Sequence, residues 1–221
     1  MTTHTRDFSA SIDPVKLDRM AEVAIKVGLQ LQPGQDLVLT SSIAALPLTR
    51  RIIEQAYKAG AGLVTPIFSD DEITLARFRY GQGDGFDRAA DWLYKGMAEA
   101  YGAGAARLAV RGDDPSLLSA QDPEKVARAN KAASVASKPA MEKITNFDTN
   151  WTILAYPELA WAKQVFPDDT DDVAVAKLAS AIFSASRVNG DDPIGAWKTH
   201  NAELKKRSDW LNGHAFHALH F

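Results

Sequence analysis

The sequence predicts a three-layer α/β fold, a mostly parallel sheet flanked by helices, with a helical C-terminal extension. Strand-like runs alternate with helical periodicity as far as Tyr156, the order that builds parallel sheets from βαβ units. Within those runs the apolar residues are consecutive rather than alternating, which suits strands covered on both faces. The 221 residues are 46% hydrophobic and 24% charged, enough apolar material for one substantial core and too much for disorder.

The first element is helical. Leu17, Met20, Ala21, Ala24, Ile25 and Gly28 follow the spacing of one helix face, and Asp13-Pro14 starts it. Aspartate accepts from the free N–H groups of a first turn, and proline beside it gives up an N–H that had no partner. Asp114-Pro115, Asp122-Pro123 and Asp192-Pro193 repeat that punctuation, so the four pairs read as turns or helix starts and not as metal carboxylates. After the Gln32-Pro33-Gly34 turn, Asp36 to Thr40 is a strand, followed by a helix with Ile52, Ile53, Ala56 and Tyr57 inward that ends near Gly60. Leu63 to Phe68, Leu108 to Val110 and Trp151 to Tyr156 supply the remaining strands. Beyond Pro157 two helical stripes follow, one of Val175, Leu178, Ala179, Ile182 and Phe183, the other of Ile194, Trp197, Leu204 and Leu211. Phe216 to Phe221 has a strand's composition with nothing after it to pair or cover it, which predicts that the natural polypeptide continues. The expected division is an α/β domain over 1–190 and, over 191–221, a connecting helix and first strand toward a further, absent domain.

Composition excludes several functions. With 25 basic and 28 acidic side chains the formal charge is −3 and the pI about 6.0, so no electrostatic footprint for nucleic acid or anionic lipid exists. No window approaches the roughly 18 apolar residues of a membrane span, and the opening MTTHTRDFSAS lacks a signal peptide's layout. The expected location is the cytoplasm. Absence of cysteine removes disulfides, thiolate nucleophiles and Cys-based zinc sites together.

Five groups take a functional reading beside a structural one. Gly81-Gln82-Gly83-Asp84-Gly85 resembles a phosphate-cradling loop, but such loops follow a strand, whereas this one follows the helical stretch Glu72 to Tyr80. Gly102-Ala103-Gly104 likewise trails a helix and reads as its C-terminus. Asp168-Asp169-Thr170-Asp171-Asp172 could hold a hard cation, yet the spacing is not that of an EF-hand, and acidic residues opening the next helix would cap it and complement its dipole. His214, His217 and His220 cannot converge on one ion if the segment is a strand, because period two sends His217 to the opposite face. Trp151, Tyr156, Trp161 and Phe166 form an aromatic concentration that reads first as core and second as the wall of a peptide-binding or domain-docking cleft. No Gly-x-Ser-x-Gly elbow, His-Glu-x-x-His helix or paired-carboxylate constellation is present.

Longer motifs carry a family resemblance. The run Asn150-Trp151-Thr152-Ile153-Leu154-Ala155-Tyr156-Pro157-Glu158-Leu159-Ala160-Trp161-Ala162, continuing to Val165-Phe166-Pro167-Asp168, closely resembles a signature of the thermophilic metallo-aminopeptidases, the aminopeptidase T and S group. Asn189 to Trp197, Leu204 to Arg207 with Leu211-Asn212, and Ala218 to Phe221 add to it. So do the Leu17 to Gly28 helix and Leu31-Gln32-Pro33-Gly34-Gln35. The resemblance implies an enzyme that removes N-terminal residues from short peptides, with a two-metal centre of Zn, Co or Mg, in a cytosolic homodimer. It also implies that the carboxylate and histidine ligands follow the position of Phe221. No catalytic or metal-binding residue is therefore assigned here, substrate-binding residues stay unknown, and this chain alone is expected to bind no metal and to be inert, walling the active-site cavity and supporting the dimer. The alternative is a free-standing α/β binding or interaction module; a third reading, nucleotide binding at Gly81 to Gly85, predicts thermal stabilisation by nucleotide.

Overall fold

The computed structural model describes residues 8–214, 216–218 and 220. Four parallel strands, β1 (Leu37–Ser42), β2 (Val64–Ser69), β3 (Ala106–Arg111) and β4 (Trp151–Ala155), form one sheet in the order β2-β1-β3-β4. Eight α-helices flank it among the described residues: α1 (Pro14–Val23), α2 (Leu46–Lys58), α3 (Asp71–Tyr80), α4 (Asp91–Gly102), α5 (Pro123–Thr145), α6 (Leu159–Val165), α7 (Asp171–Ala185) and α8 (Pro193–Gly213). The three-layer expectation holds.

Local chemistry sets the boundaries as read. Asp13, Asp122 and Asp192 cap α1, α5 and α8 with their carboxylates, each followed by proline, and Asp114 holds a turn by accepting from the Ser116 N–H at 2.8 Å. Asp171 and Asp172 occupy the first turn of α7, the structural half of the earlier alternative. Helix α1 runs on as a π-helical segment, Ala24–Leu29, whose Gly28 lies so close to β4 that a Cβ would stand 2.7 Å from Thr152 Oγ1.

One sheet face packs Leu37, Leu39, Leu108, Val110 and Leu154 against α1, the π segment, α2 and α7 in the main core. The other face places Val38 beneath Tyr101 of α4 and Ala140 and Ile144 of α5. Coverage on both faces is confined to the inner strands. The edge strands β2 and β4 are half open, and Pro66, which has no N–H for a ladder, sits in β2 at an edge where none is required.

Four expectations fail, the first being Tyr57, read as inward on α2 but 48% exposed. Tyr156, Trp161 and Phe166 pack on the core, but Trp151, on the outer strand, is 36% exposed. Phe216 to Phe221 is not a strand where it is described: residues 216–218 and 220 are irregular and exposed, and among the described residues no strand pairs with them, while Leu219 and Phe221 fall outside the described residues. His214 instead follows α8, its ring stacked on Phe216 and close to Trp210. The stripe of α8 divides as well, with Ile194 and Trp197 packed on the core and Leu204 and Leu211 exposed.

Candidate functional site

Strand order fixes where a parallel sheet opens a crevice. The chain leaves β1 toward β2 on one side and β3 toward β4 on the other, so the connections after the carboxyl ends of β1 and β3 run apart there, the place where open α/β sheets commonly take a ligand. Ser42 ends β1. Its hydroxyl accepts from the Ala45 N–H at 3.1 Å and donates to the Glu158 carboxylate. Glu158 comes from the turn after β4, held by its N–H to the Tyr156 carbonyl at 3.0 Å, while the Tyr156 N–H reaches the Arg111 carbonyl at 2.7 Å. Gly112 makes this crossing possible: a Cβ there would overlap the Tyr156 carbonyl oxygen and stand 2.8 Å from Glu158 Cγ.

The crevice is acidic. Burial pushes the Glu158 carboxyl above its ordinary value of 4.5, Asp71, Asp113 and Asp70 push it further, and the Ser42 hydrogen bond pulls it back. Asp71 is raised too, by burial first and then by Asp113, Asp114 and Asp70, with the Asp114 backbone amide acting in the opposite direction. Arg111 offsets part of this charge through its 3.3 Å pair with Asp113. The arrangement favours a cationic group. No group of three carboxylates or imidazoles gathers to hold a metal ion among the described residues.

At the opposite, amino ends of the strands, residues 115 apart in sequence meet. Gln35 Nε2 donates to Asn150 Oδ1 at 2.7 Å and to the Gly104 carbonyl at 2.8 Å, and Asn150 Nδ2 donates to the Leu29 carbonyl at 2.7 Å. The two motifs that held these residues are thus one clamp, tying the π segment and the loops that enter β1, β3 and β4. Near the C-terminus, Arg19 reaches Asp191 at 2.6 Å, and Trp197 Nε1 donates to the Ser186 carbonyl at 2.8 Å.

The other candidates resolve into structure. Gly81 closes α3, and the carbonyls of Gly83 and Gly85 accept from Arg128 and Arg77, so the loop turns oxygens toward cations rather than N–H groups toward a phosphate. Ala103 caps α4, with Gly104 at φ 96° after it. Asp169 pairs with Lys177 at 2.6 Å. The site that sequence reasoning missed is the crevice: Ser42, Gly112 and Glu158 lie in three separate segments, and only Glu158 belonged to a quoted motif.

A family model, thermophilic metalloprotease (M29), matches residues 14–221. The chain belongs to the M29 metalloprotease family. Among curated relatives it is 47% identical over 205 residues to aminopeptidase T of Thermus thermophilus and 36% identical over 204 residues to aminopeptidase 2 of Geobacillus stearothermophilus. These alignments cover 93% and 92% of this chain but 50% and 49% of the relatives. The solved structure of wild-type AmpT from Thermus thermophilus superposes with a TM-score of 0.87 at 46% identity, again over 93% of this chain and 50% of that one. The M29 chain described here therefore spans about half the length of the curated relatives it matches.

Proposed function

We propose that this chain is the N-terminal half of a metal-dependent aminopeptidase that removes N-terminal residues from short peptides, dividing near residue 190 between the α/β domain and the helix that leads onward. The observation that carries this is the 47% identity to an aminopeptidase T across nearly the whole chain, against only half of that relative. The described residues do not fit the metal pair the family implies. The ions, Zn, Co or Mg, belong in this reading to the half that the relatives carry and this alignment leaves unmatched. Here the α/β half walls the cavity and supports a homodimer. A cytoplasmic location agrees with the absence, among the described residues, of any helix long and apolar enough to cross a membrane.

The acidic crevice suits this role, since a peptide's free N-terminus is a cation and carboxylates at a cavity wall raise its local concentration. The experiment is an assay of the purified chain with aminoacyl chromogenic substrates and Co²⁺, Zn²⁺ or Mg²⁺, beside the same chain joined to the unmatched half of the Thermus thermophilus enzyme. Turnover is expected only from the joined protein. Metal-dependent turnover by the chain alone would refute its inertness, and an inactive joined protein would refute the reading itself.

A further inference from the structure

Helix α8 has two environments. Pro193 is buried, and Ile194 and Trp197 pack on the core, but every residue from 201 to 214 is exposed. At 1.5 Å per residue, the helical part of that stretch carries the chain about 20 Å clear of its own half. A helix acts as a semi-rigid spacer, so the direction of its free end is set where it leaves the core. That foot is the Asn189 to Trp197 motif, which takes no part in the crevice.

Two arginines hold the foot from either side. From α1, Arg19 donates to the Val188 and Asn189 carbonyls at 3.5 and 3.4 Å and pairs with Asp191 at 2.6 Å. From the end of α7, Arg187 lays its guanidinium over the Trp197 ring, 5.7 Å from the centroid, and its Nη2 stands 3.1 Å from His200 Nδ1. The Trp197 and His200 rings meet edge to face at 5.6 Å, and Trp197 Nε1 is held by the Ser186 carbonyl. Arg187 keeps this place at a conformational cost. Its φ is 56°, at a helix ending in which the Val188 N–H bonds the Phe183 carbonyl and the Arg187 N–H bonds the Ser184 carbonyl, both at 3.1 Å. Glycine takes that position without strain, but glycine has no side chain to span from α7 to α8.

We infer that this foot is a fixed joint, and that Arg187 and Trp197 are positioning residues that aim α8 and so seat the second half of an aminopeptidase chain against the α/β half. They touch no substrate; they act through the direction of the helix. The inference rests on the reading that the chain works joined to such a half. In both relatives cited above, the matched half shares one polypeptide with another of equal length, and α8 lies within the matched part, so it is the element that hands the chain on. A small error of angle at the foot is multiplied along the helix, and a misplaced wall weakens substrate binding without changing the chemistry.

The absence of cysteine makes the joint directly measurable, because spin labels attach only where Arg50→Cys on α2 and Asn212→Cys near the far end of α8 place them. In this 221-residue chain the label-to-label distance should be a single narrow distribution. Arg187→Gly should broaden it, while leaving Tm unchanged or raising it by a few degrees, since the strained backbone is relieved. Arg187→Lys keeps a cation over Trp197 and should stay close to the natural distribution. A broad distribution in the natural chain, or an unchanged one in Arg187→Gly, would overturn the joint. A Tm lowered by Arg187→Gly would overturn it as well, by making Arg187 a support of the fold. The second arm uses the chain joined to the unmatched half of the Thermus thermophilus enzyme. There Arg187→Gly should raise KM about fivefold or more with kcat within about twofold, and Arg187→Lys should restore KM. Natural kinetics in Arg187→Gly would overturn the positioning role. An inactive unsubstituted joined protein would instead refute the underlying reading and the positioning role with it, while the distances still decide whether the joint is fixed.

Discussion

Strands β3 and β4 lie side by side and read alike, as short apolar runs between helices, yet they do opposite work. β3 is inner and its residues from Ala106 to Val110 are buried on both faces; β4 is outer, with Leu154 buried and Ile153 half exposed one position away. Consecutive apolar composition therefore marks membership of a parallel sheet but not depth within it. An apolar edge has a further consequence, because the residues that face outward from β4 are free to meet something else.

Substitutions can break or sharpen this contrast. Leu108→Ala in β3 removes a fully buried side chain and should destabilise the chain by about 3–4 kcal/mol in urea titration, the largest effect expected. Gly112→Ala, just beyond the same strand, forces a methyl into the Tyr156 carbonyl and should cost about 2–3 kcal/mol by the same measurement. Asn150→Ala, at the entrance to β4, leaves the Leu29 carbonyl and Gln35 without their partner and should cost about 1–3 kcal/mol. Trp151→Ala in β4 should cost about 1–2 kcal/mol, well short of a core aromatic; a loss above about 3 kcal/mol would show that β4 is as deep as β3 and would remove the contrast.

The smallest expected effect is electrostatic. A carboxyl raised in the folded state binds its proton more tightly there than in the unfolded chain, so its contribution to stability is present at low pH and is lost as pH rises from about 4.5 through the folded value. Glu158→Gln keeps an acceptor for Ser42 and abolishes that loss. The variant should therefore match the natural chain near pH 4 and exceed it at pH 7 in parallel denaturant titrations. A stability difference independent of pH would exclude burial of the Glu158 charge as its cause.

Much of the fold was legible because its signals are local. Three of the four Asp-Pro pairs cap helices and the fourth holds a turn, since both residues act on the N–H groups just after them, and the 3.6-residue stripe of α7 is buried as its spacing requires. The strand expected at Phe216 failed for the complementary reason. Composition favours extended backbone there, but a strand exists only when another pairs with it, and among the described residues none pairs with these. The crevice was illegible because Ser42, Gly112 and Glu158 signal nothing singly; the placing of β3 beside β1, with β4 next to it, brings them together.

By itself, then, the sequence determined the alternation of elements, their caps and, through motifs such as Asn150 to Ala162, the family. These depend on neighbours along the chain or on whole motifs, which a linear reading contains. The tertiary structure alone decided which strands are inner and that Gln35 and Asn150 form one clamp. Each of those depends on the lateral order of strands, and in a parallel sheet that order is set by long-range packing of helices on both faces rather than by any local preference.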